Sequence, residues 1–176
     1  MNLWHGVRDE RIKKDDFLAV IEIKKGKKNK YELDKETGVL ILDRVLYTAM
    51  RYPANYGFIP LTLAEDNDPL DVLVIASEEI DPMTLVRCYS IGAIRMTDGG
   101  QHDDKIIAIP FNDPTYNHIR DLSELSPHLL DEYVHFFTVY KQLEKKQTDN
   151  LSVLNLEEAN RVFDKSLAAY KAKFGK

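Results

Sequence analysis

The apolar and polar positions divide the chain into a strand-rich part and a helical part. Short apolar or alternating runs, separated by turns, fill the first two-thirds of the sequence. Runs of this length predict short β-strands. The predicted strands cover residues 18–23, 30–33, 39–42, 71–76, 85–88, 91–96 and 106–109. Many short strands at close spacing favour a small barrel or sandwich.

The last third of the chain predicts two helices. Apolar residues recur at helical spacing from Leu129 to Leu143, and Ser126 and Pro127 supply a cap and a first-turn proline. This pattern predicts one long helix over that range.

The second helix is predicted to begin after Asn155, with Glu158 as its capping-box partner, and to run towards Phe174 and end at Gly175. Together with the predicted strands, the two helices indicate a mostly β fold of the α+β class. We expect a β-barrel core, one long helix packed on it, and a C-terminal helix.

Length and composition narrow the function classes. The chain has 176 residues, which predicts a single domain over residues 1–176, and 44% of its residues are apolar while 30% are charged. No apolar run approaches the ~18 residues of a membrane-spanning helix, so we expect no membrane association. The net charge is 24 − 29 = −5, a poor match for nucleic-acid binding. One cysteine, Cys88, and a polar amino terminus without signal-peptide features predict a cytoplasmic protein.

An acidic segment supplies the densest candidate chemistry. Between Arg51 and Arg87 there is no lysine or arginine, although the segment is rich in carboxylates. Asp66, Asp68 and Asp71 lead into a predicted buried strand; in an extended segment Asp66 and Asp68 would point to the same side. Converging carboxylates suit hard cations, Mg²⁺ or Mn²⁺. An ordinary acidic turn and an aspartyl-nucleophile phosphatase motif are the alternatives.

A second acidic cluster again flanks predicted strands. It comprises Asp98, Asp103 and Asp104. Two such clusters favour a metal site over an acidic turn.

Cations and tyrosines surround the acidic segment in sequence. Lys30 and Glu32 alternate along one predicted strand and face one way, and Arg44 follows the next strand. Tyr52 and Tyr56 flank a predicted rigid turn. Each residue alone suggests surface or core packing, but beside metal-binding carboxylates these donors would bind a polyanion such as phosphate.

Tyr140 and Lys141 add a further hydroxyl and a further cation. Both are predicted to lie on the long helix, where Tyr140 shares the apolar face. Core packing is the alternative for Tyr140.

These motifs, taken in order, resemble those of the soluble family I inorganic pyrophosphatases of the prokaryotic type. The resemblance runs from about residue 17 to about residue 144. It is carried by Lys30-Tyr31-Glu32, Asp43-Arg44, Tyr52-Pro53-Ala54-Asn55-Tyr56-Gly57, Asp66-Asn67-Asp68-Pro69-Leu70-Asp71-Val72, Met96-Thr97-Asp98, Asp103-Asp104-Lys105 and Tyr140-Lys141. The ordered set is more specific than any one motif.

The resemblance implies an OB-like five-stranded barrel that hydrolyses pyrophosphate with several Mg²⁺ ions, for which Mn²⁺ could substitute. It implies that Asp66, Asp71 and Asp103 bind one metal and that a second metal shares Asp71. The remaining implied metal residues are Asp98, which holds a substrate-borne metal with Asp103, and Glu22 and Glu32, which act through waters. The implied phosphate contacts are Lys30, Arg44, Tyr56, Lys105, Tyr140 and Lys141, with Tyr52 in support. Asp68 is implied as the general base.

The family also implies a homo-oligomer, up to a hexamer.

Two other functions stay open on the residues alone: a different metal-dependent phosphohydrolase, and a non-enzymatic OB-type binding module. The second needs a basic groove with stacking aromatics, which the acidic segment does not supply.

Overall fold

Nine strands and two α-helices form within residues 2–146 and 148–175, the part of the chain that the computed structural model describes. The strands are β1 (Ile12–Lys13), β2 (Asp16–Ile23), β3 (Asn29–Leu33), β4 (Leu40–Val45), β5 (Asn55–Ile59), β6 (Leu70–Val74), β7 (Leu85–Asp98), β8 (Gln101–Pro110) and β9 (Asp149–Leu154). The helices are α1 (Pro127–Val139) and α2 (Leu156–Phe174).

Five of the strands close into a barrel. They pair in the order β2, β5, β6, β8 and β7, and β7 pairs back with β2. All of these pairings are antiparallel except β6 with β8, which is parallel. Strands β1 and β9 extend the sheet beyond the ring. This is the predicted five-stranded barrel of an α+β fold.

The two helices cover different parts of the barrel. Side chains that alternate along β6 and β8 belong to two separate apolar clusters. In one cluster, Phe163 of α2 packs against Phe17 of β2 with ring centroids 5.1 Å apart. In the other, Phe136 of α1 packs against Tyr52 at 4.9 Å. Burial on both faces explains why these strands read as continuous apolar runs.

A separate hairpin of β3 and β4 lies outside the seven-stranded sheet. Lys30 is paired with Arg44 and Glu32 with Ile41 along this hairpin. The hairpin therefore places the predicted phosphate-binding cations Lys30 and Arg44 opposite each other on neighbouring strands.

The predicted ends of α2 are confirmed, but the predicted end of α1 is wrong. The Asn155 side chain accepts from the Glu158 N–H at 2.9 Å, and Glu158 accepts from the Asn155 N–H at 2.9 Å, which completes the capping box. α1 stops at Val139, and Tyr140 is its C-cap. Leu143, predicted to lie on the helix, is 64% exposed in a following 3₁₀ turn, so extending the helix would bury little there.

The strand prediction missed β5 and divided β7. The segment around Pro53 suggests a turn, but Asn55–Ile59 forms a buried strand because it pairs with both β2 and β6. Gly57 permits this pairing, since a Cβ there would lie 1.8 Å from the Val20 carbonyl oxygen. The two predicted strands 85–88 and 91–96 are one strand with a bulge between Ser90 and Gly92. Strands β1 and β9 were not predicted.

Within the described residues, neither helix combines the length and apolar character needed to cross a membrane.

Cys88 is fully buried in β7 as a small core residue, and burial raises the pKa of its thiol.

Candidate active site

One cavity of about 300 Å³ brings together most of the predicted site residues. It lies where the barrel meets the β3–β4 hairpin and the end of α1. Its lining includes the predicted residues Glu22, Lys30, Glu32, Tyr56, Asp66, Asp68, Asp71, Asp98, Asp103, Lys105, Tyr140 and Lys141. Arg44 and Tyr52 do not line it.

A β-bulge turns Glu22 out of its apolar strand into the cavity. Ile21 pairs with Gly57 and Ile23 pairs with Tyr56, so Glu22 is the extra residue between them. Its carboxylate accepts from the Leu33 N–H at 2.7 Å. Burial is the main reason that the pKa of Glu22 is raised to about 8, and the nearby Asp71 contributes to that rise.

The parallel pairing of β6 with β8 places Asp71 opposite Lys105. The Lys105 ammonium donates to Asp71 Oδ2 at 2.7 Å, to Asp103 Oδ1 at 2.9 Å and to the Tyr56 hydroxyl at 2.9 Å. Tyr56 in turn donates to Asp71 Oδ2 at 2.6 Å. Lys105 is only 2% exposed and Tyr56 is buried, so the two partly exposed carboxylates share one buried ammonium.

The two carboxylates around Lys105 respond differently to that environment. Burial raises the pKa of Asp71 to about 6, because one shared ammonium only partly offsets the loss of water. Burial acts on Asp103 as well, but Lys105 and Lys141 outweigh it and lower the pKa of Asp103. Burial also raises the pKa of Asp66, aided by Asp68 and Asp103. The cavity therefore carries buried negative charge that Lys105 alone does not balance.

Asp66 and Asp68 lie in a tight turn, so the predicted extended segment is wrong. The Ala64 N–H donates to the Asp68 carbonyl at 2.7 Å, and Asn67 has a left-handed φ of 68°. Both aspartates nevertheless line the cavity, and the Asp68 N–H donates to Asp66 Oδ1 at 3.0 Å.

The predicted second acidic cluster is divided: Asp98 at the end of β7 lines the cavity, and the other two aspartates lie on opposite faces of β8. Asp103 lines the cavity, whereas Asp104 points away and accepts two hydrogen bonds from Arg95 at 2.7 Å. Side chains alternate along a strand, so neighbours cannot share one site here. Asp104 is therefore not a candidate ligand.

Cations at the cavity mouth pair with acidic residues. Lys30 contacts Glu32 and Asp43, and Lys141 donates to Asp98 at 3.1 Å. Each of these cations faces a carboxylate that an anionic ligand could replace.

Arg44 and Tyr52 contact other residues outside the cavity lining. The guanidinium of Arg44 lies 2.5 Å from Asp43 and 2.7 Å from Glu144. Tyr52 is buried, with its ring 5.3 Å from that of Tyr56. Burial is the main reason that the pKa of Tyr52 is well above its usual value.

Sequence reasoning missed Lys35 and Trp4, which also line the cavity. Lys35 contacts Asp68, and its ammonium lies 5.8 Å from the centre of the Trp4 ring. Lys35 sits in an ordinary polar turn and gives no local signal. A lone tryptophan in the polar amino-terminal segment was a signal that this segment packs on the fold.

Carboxylates, lysines and tyrosine hydroxyls in one cavity can bind a phosphate anion together with hard cations. Carboxylate oxygens are the donors that Mg²⁺ prefers, and their excess buried charge fits a bound cation. Within residues 2–146 and 148–175, no three His, Cys, Asp or Glu side chains are arranged to hold a metal ion. Lys105 bonds to both Asp71 and Asp103, so a metal shared by these carboxylates requires their side chains to reorient.

Comparisons with known proteins agree on one family. The family model for inorganic pyrophosphatase matches residues 19–171. Soluble inorganic pyrophosphatase 2 of Chlamydomonas reinhardtii is 45% identical, covering 96% of this chain and 88% of that protein. The Nostoc inorganic pyrophosphatase is 46% identical over 86% of this chain and 90% of its own length. The Helicobacter pylori inorganic pyrophosphatase structure has a TM-score of 0.88 at 40% identity, covering 95% and 99% of the two chains.

Proposed function

The chain belongs to the inorganic pyrophosphatase family, hydrolases that split pyrophosphate into two orthophosphates, and we propose that it carries out this reaction in the cavity described above. The reaction uses several Mg²⁺ ions and a water nucleophile, with no covalent intermediate. One observation carries the proposal: carboxylates line the same cavity as buried or half-buried cationic and hydroxyl donors.

The family is metal-dependent, and the donor chemistry favours Mg²⁺, with Mn²⁺ as a substitute. Asp66, Asp71 and Asp103 would hold one ion, and Asp71 would be shared with a second. The ligands proposed for the remaining metal contacts are Asp98, with Asp103, for an ion brought by substrate, and Glu22 and Glu32 through waters. Bound Mg²⁺ would supply positive charge for the phosphates and lower the pKa of a bound water.

Asp68 is the proposed general base. Its side chain is half-exposed at the cavity, so it can reach a water there without being buried as a ligand. The hydrogen bond from its own N–H to Asp66 fixes its position beside a proposed metal ligand. The carboxylate also contacts the Lys35 ammonium, and it is proposed to accept a proton from the attacking water.

Lys30 and Lys141 are proposed to bind substrate phosphate. Each is a partly buried ammonium at the cavity, and each already contacts carboxylates. Phosphate oxygens can replace those carboxylates as partners and would be held by charge-assisted hydrogen bonds. The charge that develops on the leaving phosphate is stabilised by the same groups.

Tyr56, Tyr140 and Lys105 form the inner wall. The Tyr56 hydroxyl is engaged with Asp71 and Lys105, so it both orients Asp71 and can contact phosphate. Arg44, on β4 of the hairpin, is proposed to reach phosphate, with Tyr52 supporting Tyr56. Among the described residues, Nη2 of Arg44 is a buried donor without a hydrogen-bond partner, which leaves it able to bind an anion.

We also propose that residues 1–176 form a single domain and that the protein is a cytoplasmic homo-oligomer, up to a hexamer. The family match over residues 19–171 and the packing of both helices on one barrel support the single domain. A single cysteine suits a reducing compartment. Exposed apolar side chains on and beside β4 support self-association; they are Val39, Ile41, Leu42, Val45 and Tyr47.

Phosphate release from pyrophosphate, compared with release from ATP, tests the reaction. With Mg²⁺ the protein should release two phosphates per pyrophosphate and far fewer from ATP, and a chelator should abolish release. Preference for ATP would instead support another metal-dependent phosphohydrolase. No release from either substrate would support a binding module.

A further inference from the structure

The turn that carries Asp66 and Asp68 is closed by its own backbone. The Ala64 N–H donates to the Asp68 carbonyl at 2.7 Å, and the Asn67 N–H donates to the Ala64 carbonyl at 3.2 Å. These bonds fix the shape of the turn. They do not fix its distance from β8, which carries Asp103 on the other side of the proposed metal site.

Glu65 connects this turn to two other elements. One oxygen of its carboxylate, Oε2, accepts from the His102 N–H at 3.0 Å, and the other, Oε1, accepts from Lys165 Nζ at 2.9 Å. His102 directly precedes Asp103 in β8, and Lys165 lies on α2. A single carboxylate therefore spans the turn, the beginning of β8 and the C-terminal helix.

Helix α2 makes two further bonds on either side of the same turn. The Leu63 N–H donates to the Ser166 carbonyl at 2.9 Å, and Lys173 Nζ donates to Asn67 Oδ1 at 3.0 Å. Ser166 is buried within the helix. The helix thus forms a support against which the turn rests before and after Glu65.

We propose that Glu65 is a positioning residue for the metal site and that Lys165 holds it in place. By fixing the turn against the His102 N–H, Glu65 sets the separation of Asp66 from Asp103. The inference rests on the proposed function, because it gives these two aspartates a common cation. It also assigns α2 a role at a site that none of its residues lines.

The competing explanation is that Glu65 and Lys165 form an ordinary surface ion pair with little effect on the site. The chain offers a matched control on the same helix. Arg161 and Glu157 form an exposed pair with N and O atoms 3.0 Å apart, and neither residue lines the cavity. The two explanations predict the same small change in stability and different changes in metal binding.

The test measures Mn²⁺ binding to the full-length, metal-free protein by calorimetry and by electron paramagnetic resonance. Outer residues that orient metal ligands typically contribute about 10–100-fold in affinity. Glu65→Ala should weaken Mn²⁺ binding by about 10-fold, the low end of that range, because Glu65 is partly exposed. Lys165→Ala should weaken it by about 2–5-fold, since an exposed ion pair contributes less. Glu65→Gln should lie between parent and Glu65→Ala because its amide oxygen can still accept from His102.

Arg161→Ala should bind Mn²⁺ as the parent does, and all variants should unfold within a few degrees of it. Hydrogen exchange gives a second readout. The His102 amide should exchange faster in Glu65→Ala than in the parent, because its acceptor is lost. It should exchange at the parental rate in Arg161→Ala, and in Glu65→Gln, whose amide oxygen keeps the hydrogen bond. Affinities of Glu65→Ala and Arg161→Ala within twofold of each other would overturn the proposal. If the affinities are equal but the parent hydrolyses pyrophosphate normally, only the role of Glu65 is rejected and the proposed function is kept. If the parent does not hydrolyse pyrophosphate, the proposed function itself is rejected.

Discussion

The ammonium nitrogen of Lys105 lies 2.7 Å from Oδ2 of Asp71, a contact made possible by the parallel pairing of β6 with β8. The same nitrogen lies 2.9 Å from Asp103. One buried cation therefore serves two carboxylates that are also proposed as metal ligands. Lysine and metal supply positive charge to the same small region.

Lys105→Met should destabilise the metal-free protein strongly. Removing one partner of a buried charged cluster typically costs about 3–5 kcal/mol in the free energy of unfolding. Added Mg²⁺ should recover more stability in the variant than in the parent, because Asp71 and Asp103 have lost the ammonium that they share. Urea unfolding with and without Mg²⁺ measures this difference. Lys13→Met, on an exposed position of β1, is the control and should show no extra Mg²⁺ effect.

Tyr140→Phe separates phosphate contact from core packing. Tyr140 lines the cavity, whereas Tyr133 is equally buried on α1 but does not line it. If the Tyr140 hydroxyl bonds to phosphate, its loss should cost about 1.5–3 kcal/mol, or roughly 10–150-fold in kcat/KM. Tyr133→Phe should keep parental activity. Equal impairment of the two variants in steady-state assays would favour the packing explanation.

Asp113 should contribute stability that disappears in acid. Its carboxylate accepts from the Ser77 N–H at 2.6 Å and from the Thr115 N–H at 3.0 Å. Burial alone would raise the pKa of Asp113, but these donors outweigh it and hold the pKa below the ordinary value of 3.8. A depressed folded-state pKa means that the contribution is complete above about pH 4 and is lost as pH falls through the lower, folded value.

Asp113→Asn should accordingly lower the free energy of unfolding by about 1–3 kcal/mol at pH 7, since one N–H then faces an amide group that cannot accept. The difference from the parent should shrink at pH 3, where urea titrations of both proteins can be compared. If the difference in free energy of unfolding between Asp113→Asn and the parent stays constant from pH 7 to pH 3, this account of the carboxylate is contradicted.

Local signals predicted structure where local bonds decide it. The ends of α2 depend on Asn155, Glu158 and Gly175, which act within a few residues of one another, and these were predicted from the sequence. β5 was missed because its partners, β2 and β6, are distant in sequence and outweigh the turn tendency around Pro53. The end of α1 was misplaced because helical spacing continues to Leu143 although nothing buries that residue.

In the candidate site too, residues marked by local sequence patterns were predicted, and residues that depend on contacts distant in sequence were not. Dense motifs identified the acidic residues, because several carboxylates in a short segment are unusual without a cation nearby. Lys35 and Glu65 were not singled out as site or positioning residues, because their contacts are made between segments that only the fold brings together. Glu65 and Lys165, for example, are 100 positions apart.

Comparing Asp68→Asn with Asp71→Asn tests the central claim that Asp68 is the general base of a metal-assisted pyrophosphatase. Turnover is measured by phosphate release over a Mg²⁺ titration with pyrophosphate. Asp68→Asn should lower kcat by about 10²–10⁴-fold while keeping the parental Mg²⁺ dependence, because a base is lost but no main ligand. Asp71→Asn should need more Mg²⁺ and be partly restored by excess. Parental kcat in Asp68→Asn, or the same Mg²⁺ dependence in both variants and the parent, would contradict the account.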